Sequence, residues 1–112
     1  MGPEALLQDN PSVLLNKMLD LVFERQRIIA NNLANVSTLG YIWRETSFED
    51  ALAAAVNSND PESIANVQSS MIEDRSNTPR LDGNNVKAPL EMNAMMQSNI
   101  YFNLLNKAMN TK

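Results

Sequence analysis

Two stretches of this chain place side chains capable of chemistry at close spacing: residues 30–41, ANNLANVSTLGY, and residues 82–86, DGNNV. The first sets Asn31, Asn32 and Asn35 in the last two turns of an apolar helical run (Ile28, Ile29, Leu33, Val36) and closes it with Thr38, Gly40 and Tyr41. Asparagine is a mediocre helix former because its amide competes for nearby backbone groups. An uncharged amide, however, both donates and accepts. It can satisfy buried carbonyls and N–H groups where Lys or Glu would meet a heavy desolvation cost. Gly40 supplies permissive φ, or close backbone approach, where the chain leaves the helix. Asp82-Gly83-Asn84-Asn85 is a strong turn signal, with Gly83 suited to positive φ. The chemistry on offer is hydrogen bonding and not bond making.

What is missing narrows the field further. The chain has no Cys and no His, which removes disulfides, thiol nucleophiles, thiolate and imidazole metal sites and His-based acid/base catalysis in one step. The acidic residues are scattered. Asp20 and Glu24 fall on the polar side of a helix, where exposed charge at helical spacing is a solvated face. No catalytic, cofactor-binding or metal-binding residue is assigned, and no enzyme activity is expected. A net charge of −4 without a basic cluster argues against a nucleic-acid partner. No run approaches the ~20 apolar residues that span a bilayer. The leading MGPEALLQDNPS lacks the features of a cleaved secretory signal. The expectation is a protein that stays in the cytoplasm or leaves it by a route that removes no signal.

The elements that must position these residues are two long helices. A length of 112 residues predicts one domain or less. With three Phe, two Tyr and one Trp, the core must rest on aliphatic residues and seven Met, which makes it soft and adaptable. Asn10-Pro11-Ser12 opens a helix predicted over 11–37, with Asn10 or Ser12 accepting from the first amides. Its seam is Leu15, Leu19, Val22, Ile29, Leu33 and Val36, flanked by Leu14, Met18, Leu21 and Ile28. At 100° per residue the apolar arc is roughly 220°, against ~100° for an ordinary surface helix. A second helix is predicted over 89–110, with Leu90, Ala94, Tyr101, Leu104 and Ala108 in its seam and Met95, Phe102, Leu105 and Met109 beside it. No charge occurs from Met92 to Asn106, whereas a solvated face normally carries Lys and Glu. That face is expected to be covered. Gln26 and Gln97 interrupt the two seams and could pair as a register device.

The middle, 38–88, reads as a weakly structured loop and short-helix segment. Ser47-Phe48-Glu49-Asp50 matches a capping pattern opening a short helix through Ala55, and residues 57–61 form a turn cluster. A short strand is possible around Val67 or from Met71 to Glu73. Residues 57–80 hold few apolar side chains and are expected to be the mobile part. The fold class is therefore mainly α, with long N- and C-terminal amphipathic helices. Two such wide arcs exceed what one helix pair buries, so the surplus must be covered by the central segment or by neighbouring copies.

The residues just named carry a resemblance. ANNLANVSTLGY, with Phe48 a few residues on, resembles the ANN-x-AN-x-x-T-x-GY signature of bacterial flagellar axial proteins, the rod, hook and hook-junction family. DGNNV and then Glu91-Met92 ahead of the last helix look most like its small proximal rod members. Leu39 stands where the family usually has Pro, Ile42 where it has Lys, and Lys87 where an acidic residue is common. Lys87 and Pro89 imply a slightly later start for the C-terminal helix. The resemblance implies a structural subunit of the periplasmic rod, exported through the flagellar type III apparatus and polymerising through terminal helices that form a coiled-coil-like inner domain. Implied partners are other rod proteins, the rod-to-ring adaptor, the membrane ring and the export gate, together with self-association. Asn31, Asn32, Asn35, Thr38, Gly40, Tyr41, Phe48, Asp82, Gly83, Asn84, Asn85, Glu91 and Met92 are the assembly residues on this reading. The asparagines, Asn32 above all, are expected to be buried between subunits. The competing expectation is a soluble helical secretion chaperone or adaptor that holds an amphipathic segment in a groove.

Overall fold

A computed structural model describes residues 10–110 and the side chains from Ser12 onward. In chain order the elements are α1 (Asn10–Ala34), β1 (Arg44–Ser47), α2 (Glu49–Asn57), α3 (Pro61–Ala65), β2 (Ser70–Glu73) and α4 (Ala88–Asn110). The long α1 and α4 pack against each other, and α3 and β1 also lie on α1. The chain is mainly helical and measures 61 × 26 × 17 Å.

The core forms where the short elements meet α1. Leu21 and Val22 of α1 are buried with Phe48, with Leu52 and Ala55 of α2, with Ile64 of α3, with Val67 and with Leu105 of α4. Leu14, Met18 and Phe102 pack around them. Ile64 is only 1% exposed. Residues 57–80 therefore do not form one loosely held segment: Ile64 and Val67, two of its few apolar side chains, pin α3 and its exit to α1. Asp60 caps α3, its carboxylate accepting from Glu62 N at 3.1 Å, and Pro61 opens the helix where its missing N–H costs nothing.

Three local expectations need correction. First, α1 ends at Ala34, short of 37, because Asn35 and the turns after it leave helical geometry. Asn10 is already helical, so any residue capping α1 lies outside the described residues. Second, Ser47 caps nothing. It is paired with Ser70 in the sheet, and the N–H of Phe48, the residue before α2, is taken by the Glu49 carboxylate at 3.2 Å. Third, the buried line on α4 is Glu91, Ser98 and Leu105, spaced by seven, whereas Leu90, Tyr101 and Leu104 of the expected seam are exposed. A buried carboxylate and hydroxyl rotate the helix away from the orientation that hydrophobicity alone selects. Helix α4 begins at Ala88 with Pro89 in its first turn, and Gln26 bonds Asn99 at 2.7 Å instead of Gln97.

Strands β1 and β2 are antiparallel, Arg44 opposite Glu73 and Ser47 opposite Ser70. A two-stranded ribbon is marginal by itself, and β2 is exposed along its whole length. What holds β1 comes from α1. Replacing Ile64 with Ala should lower the unfolding free energy by about 2–4 kcal/mol, the range for deleting a buried aliphatic side chain. Urea denaturation checks this, and an unchanged midpoint would mean that α3 is not docked.

Candidate functional site

Asn32 sits at the centre of the site, 0% exposed on the face of α1 that meets both β1 and α4. Its amide makes every hydrogen bond open to it. Nδ2 donates to Arg44 O at 2.7 Å and to Glu91 Oε2 at 3.0 Å, while Oδ1 accepts from Arg44 N at 3.1 Å and from the Tyr41 hydroxyl at 3.2 Å. The paired bonds to Arg44 N and O imitate a neighbouring strand. Seven residues earlier on α1, Arg25 continues that edge, donating from Nη2 to Thr46 O at 2.9 Å and from Nε to Thr46 Oγ1 at 3.0 Å. Thus β1 lies between β2 and two side chains of a helix.

A second layer closes the loops behind this strand. Asn84 is fully buried: Nδ2 donates to Asn35 O at 2.8 Å and Thr38 O at 2.9 Å, and Oδ1 accepts from Val86 N at 2.8 Å. Carbonyls left over where α1 unwinds are thereby satisfied. Asn85 donates to Asp74 O at 2.7 Å and accepts from Trp43 N. The Asp82 carboxylate accepts from Asn84 N at 2.9 Å, and Gly40 N donates to Asp82 O at 2.8 Å. Gly40 and Gly83 hold φ of +72° and +82°. A Cβ at Gly83 would lie 3.2 Å from Gly40 Cα. Each glycine provides positive φ, and the pair allows the two loops to touch backbone to backbone.

Electrostatics set the ends of the junction. Glu91 is buried in the first turn of α4, where a carboxylate suits the helix N-terminus. Burial pushes its pKa up, while hydrogen bonds from Asn32 and Trp43 oppose the rise. Glu49 is the counterpart: hydrogen bonding to Arg25, at 2.7 and 3.0 Å, holds it down at about 2. Arg25 also stacks over Phe48, 4.4 Å from the ring centroid, so the charge is met by a carboxylate at its edge and an aromatic ring beneath. Burial likewise raises the pKa of Tyr41, keeping the phenol protonated and able to donate to Asn32.

Beside the junction runs a groove of about 1120 Å³, floored by α1 and walled by α4 on one side and by β1 and α2 on the other. Leu14, Met18, Val22, Leu52, Val56 and Tyr101 supply much of its apolar lining. The hydroxyl of Ser98 lies on the α4 wall, where it is the sole buried side-chain polar atom among the described residues without a hydrogen-bond partner.

The structure brings the two sequence stretches together. Asn32, Asn35, Thr38, Gly40, Tyr41, Asp82, Gly83, Asn84, Asn85 and Glu91 form one connected network. Asn35 donates to Asn31 O at 2.8 Å and accepts from Thr38 Oγ1 at 2.9 Å, so its amide serves the helix end locally. Asn31 and Met92 are exposed, and Phe48 belongs to the core. The expected burial of Asn32 between subunits is overturned, since its partners are all within the chain. Missed in the sequence were Arg25, Arg44 and Trp43 as members of the site. Arg25 lies in line with Asn32 on the apolar arc, a charge where an aliphatic belongs, and that is the signal that marks it. The described residues include no group of acidic side chains able to hold a metal ion and no helix long and apolar enough to cross a membrane.

No protein-family profile matches the chain, and no curated protein matches it.

Replacing Asn32 with Leu should leave Arg44 N and O, Tyr41 and Glu91 without their partner, at roughly 1–3 kcal/mol for each group that stays dry. The isolated chain should lose at least about 3 kcal/mol in urea melts, and a wild-type midpoint would exclude the junction in solution. For Glu91 the sign follows from its raised pKa: the folded chain holds this proton more tightly than the unfolded chain. Stability is fully present below the ordinary carboxylate value and falls as pH rises through the folded value. Glu49 acts oppositely, its contribution being lost as pH falls from about 4.5 toward 2. Glu91→Gln should therefore flatten the decline in urea midpoint above pH 4.5 and leave the acid limb in place. An unaltered decline would assign it to another group.

Proposed function

We propose that this chain is a structural subunit of the flagellar proximal rod, of the FlgB type, which works by self-assembly and performs no catalysis. The observation that carries the reading is the convergence of ANNLANVSTLGY and DGNNV, together with Glu91, on one hydrogen-bonded junction. These are the stretches that resemble the axial family, and their common task is to fix the N-terminal helix to the C-terminal helix. A junction so fully satisfied supports a rigid part that can repeat in a helical stack. The long helices then act as a coiled-coil-like inner domain, with the uncharged face of α4 turned to neighbours. On this reading the chain leaves the cell through the type III apparatus without signal cleavage. It meets the rod-to-ring adaptor, the other rod proteins, the membrane ring and the export gate at the base of the periplasmic rod, and motility depends on it.

A second reading is favoured by the groove beside α4, whose volume and apolar lining suit an amphipathic segment of another protein. A secretion chaperone or adaptor would use it for a client. The two part in solution. A rod subunit should sediment as growing oligomers as its concentration rises and should give short helical stacks in electron micrographs, more readily with the rod-to-ring adaptor added. A chaperone should stay monomeric or dimeric at every concentration and bind amphipathic peptides with a saturable isotherm.

A further inference from the structure

We infer that Asp82-Gly83 is a site of spontaneous isoaspartate formation that the folded junction holds shut, so that the modification belongs to chains whose junction is open. The inference stands on the loop geometry and does not depend on the assembly reading.

The chemistry needs only these two residues. The Gly83 backbone nitrogen attacks Cγ of the Asp82 carboxyl group, a C–N bond forms, and the carboxyl hydroxyl leaves with the amide proton as water. A cyclic imide results. Water then adds back to one of its two carbonyls: opening at Cγ restores aspartate, and opening at the Asp82 main-chain carbonyl leaves the chain running through Cβ and Cγ. Glycine makes the attack accessible because no Cβ flanks its nitrogen. Gly follows Asp or Asn at this one place in the sequence.

The fold holds both reacting groups away from the geometry of attack. Gly83 N donates to Arg80 O at 2.9 Å, and Arg80 N donates to Asn84 O at 2.9 Å, which closes residues 80–84 into a tight loop. In a turn with this bond the third residue, here Asp82, has ψ near ~0°, whereas ring closure needs Gly83 N eclipsed with Asp82 Cβ, about 120° away. That rotation turns the whole peptide plane. It breaks the bond from Gly83 N to Arg80 O and also swings Asp82 O away from Gly40 N, which donates to it at 2.8 Å. The carboxylate is held as well, accepting from Asn84 N at 2.9 Å and lying 3.8 Å from Arg80 Nε. Burial is not the protection, since the Asp82 side chain is 38% exposed. Water reaches the carboxylate while the peptide plane beside it is locked.

The lock is shared with the junction. Asn84, next along, is anchored to Asn35 O and Thr38 O, so the loop cannot turn without pulling on the end of α1. A chain already carrying isoaspartate at residue 82 has an extra main-chain carbon there and a free carboxylate in place of the carbonyl that Gly40 N meets. Such a chain cannot rebuild these contacts, and it presents the substrate class of an isoaspartyl methyltransferase.

Ageing the full-length protein at neutral pH, folded in buffer and unfolded in guanidinium, tests this. Isoaspartate is read by methyl transfer from S-adenosylmethionine with an isoaspartyl methyltransferase, and placed by peptide mass spectrometry after ageing in water labelled with oxygen-18. Slow chemistry on an opened state follows the population of that state. The folded chain should therefore modify residue 82 at least about tenfold more slowly than the unfolded chain. Gly40→Ala loosens the lock from a distance: the added Cβ meets nothing within 4 Å, but φ there is +72°. With wild-type helix content by circular dichroism, this variant should modify Asp82 roughly 5–30 times faster than folded wild type and at the wild-type rate in guanidinium. The wild-type comparison decides by itself if the variant does not fold. Equal rates in folded and unfolded wild type would overturn the lock, and absence of isoaspartate at residue 82 in guanidinium would overturn the site. A folded Gly40→Ala that ages like wild type would overturn the part played by the junction.

Discussion

A buried amide must find four partners or lose the water it gave up without return. Asn32 finds all four, from a strand on one side and a helix and a phenol on the other. No other side chain of this size has the needed symmetry of two donors and two acceptors. Aspartate would set a second carboxylate against Glu91, and leucine would satisfy none of the backbone groups of Arg44. The orientation of α4 follows from this: for Glu91 to reach Asn32, α4 must turn a carboxylate inward and let Leu90, Tyr101 and Leu104 face out. One polar contact thereby decides which apolar residues the molecule exposes.

The same constraint explains why the loops are so heavily bonded by side chains. With a sheet of two strands, the chain has too little regular backbone pairing to satisfy the segments between its long helices. Asn84 and Asn85 take over that work, reaching from the loop before α4 to carbonyls at the end of α1 and beside β2. Their reach is short, so the loops must come very close. Gly40 and Gly83 make that approach possible. The helical core and the loop network are consequently coupled: Arg25 and Asn32 on α1 hold β1, β1 holds β2, and Trp43 at its start bonds both Asn85 and Glu91.

The two long helices were legible because their periodicity runs over many turns, and the turn at Asp82-Gly83 was legible because two residue types demand it. The amide motifs stood out by type and spacing alone. Their partners did not, since a hydrogen bond between Asn32 and Glu91 spans 59 residues and leaves no local trace. The rotation of α4 was hidden for a related reason: periodicity ranks faces by apolar content, and here a buried carboxylate and hydroxyl outrank three large apolar side chains. Ile64 and Val67 were also underestimated, because two apolar residues in a polar stretch give no pattern, yet they suffice to dock α3.

What the junction satisfies inside, it leaves unsatisfied outside. The inner side of α1 and α4 is specified by directional bonds that tolerate no substitute, so the relative placement of the helices is fixed before any neighbour arrives. The outer side of α4 is built from Met, Ile and Leu with uncharged amides between them, groups that accept several packings and bond wherever a partner presents a carbonyl or N–H. A contact made by such a surface gains most of its strength from apolar burial and its register from the amides. On the proposed assembly reading, rigid placement within the subunit and adaptability between subunits answer different demands. A repeating stack needs the first so that angular errors do not accumulate, and the second so that each copy can meet neighbours in non-identical surroundings.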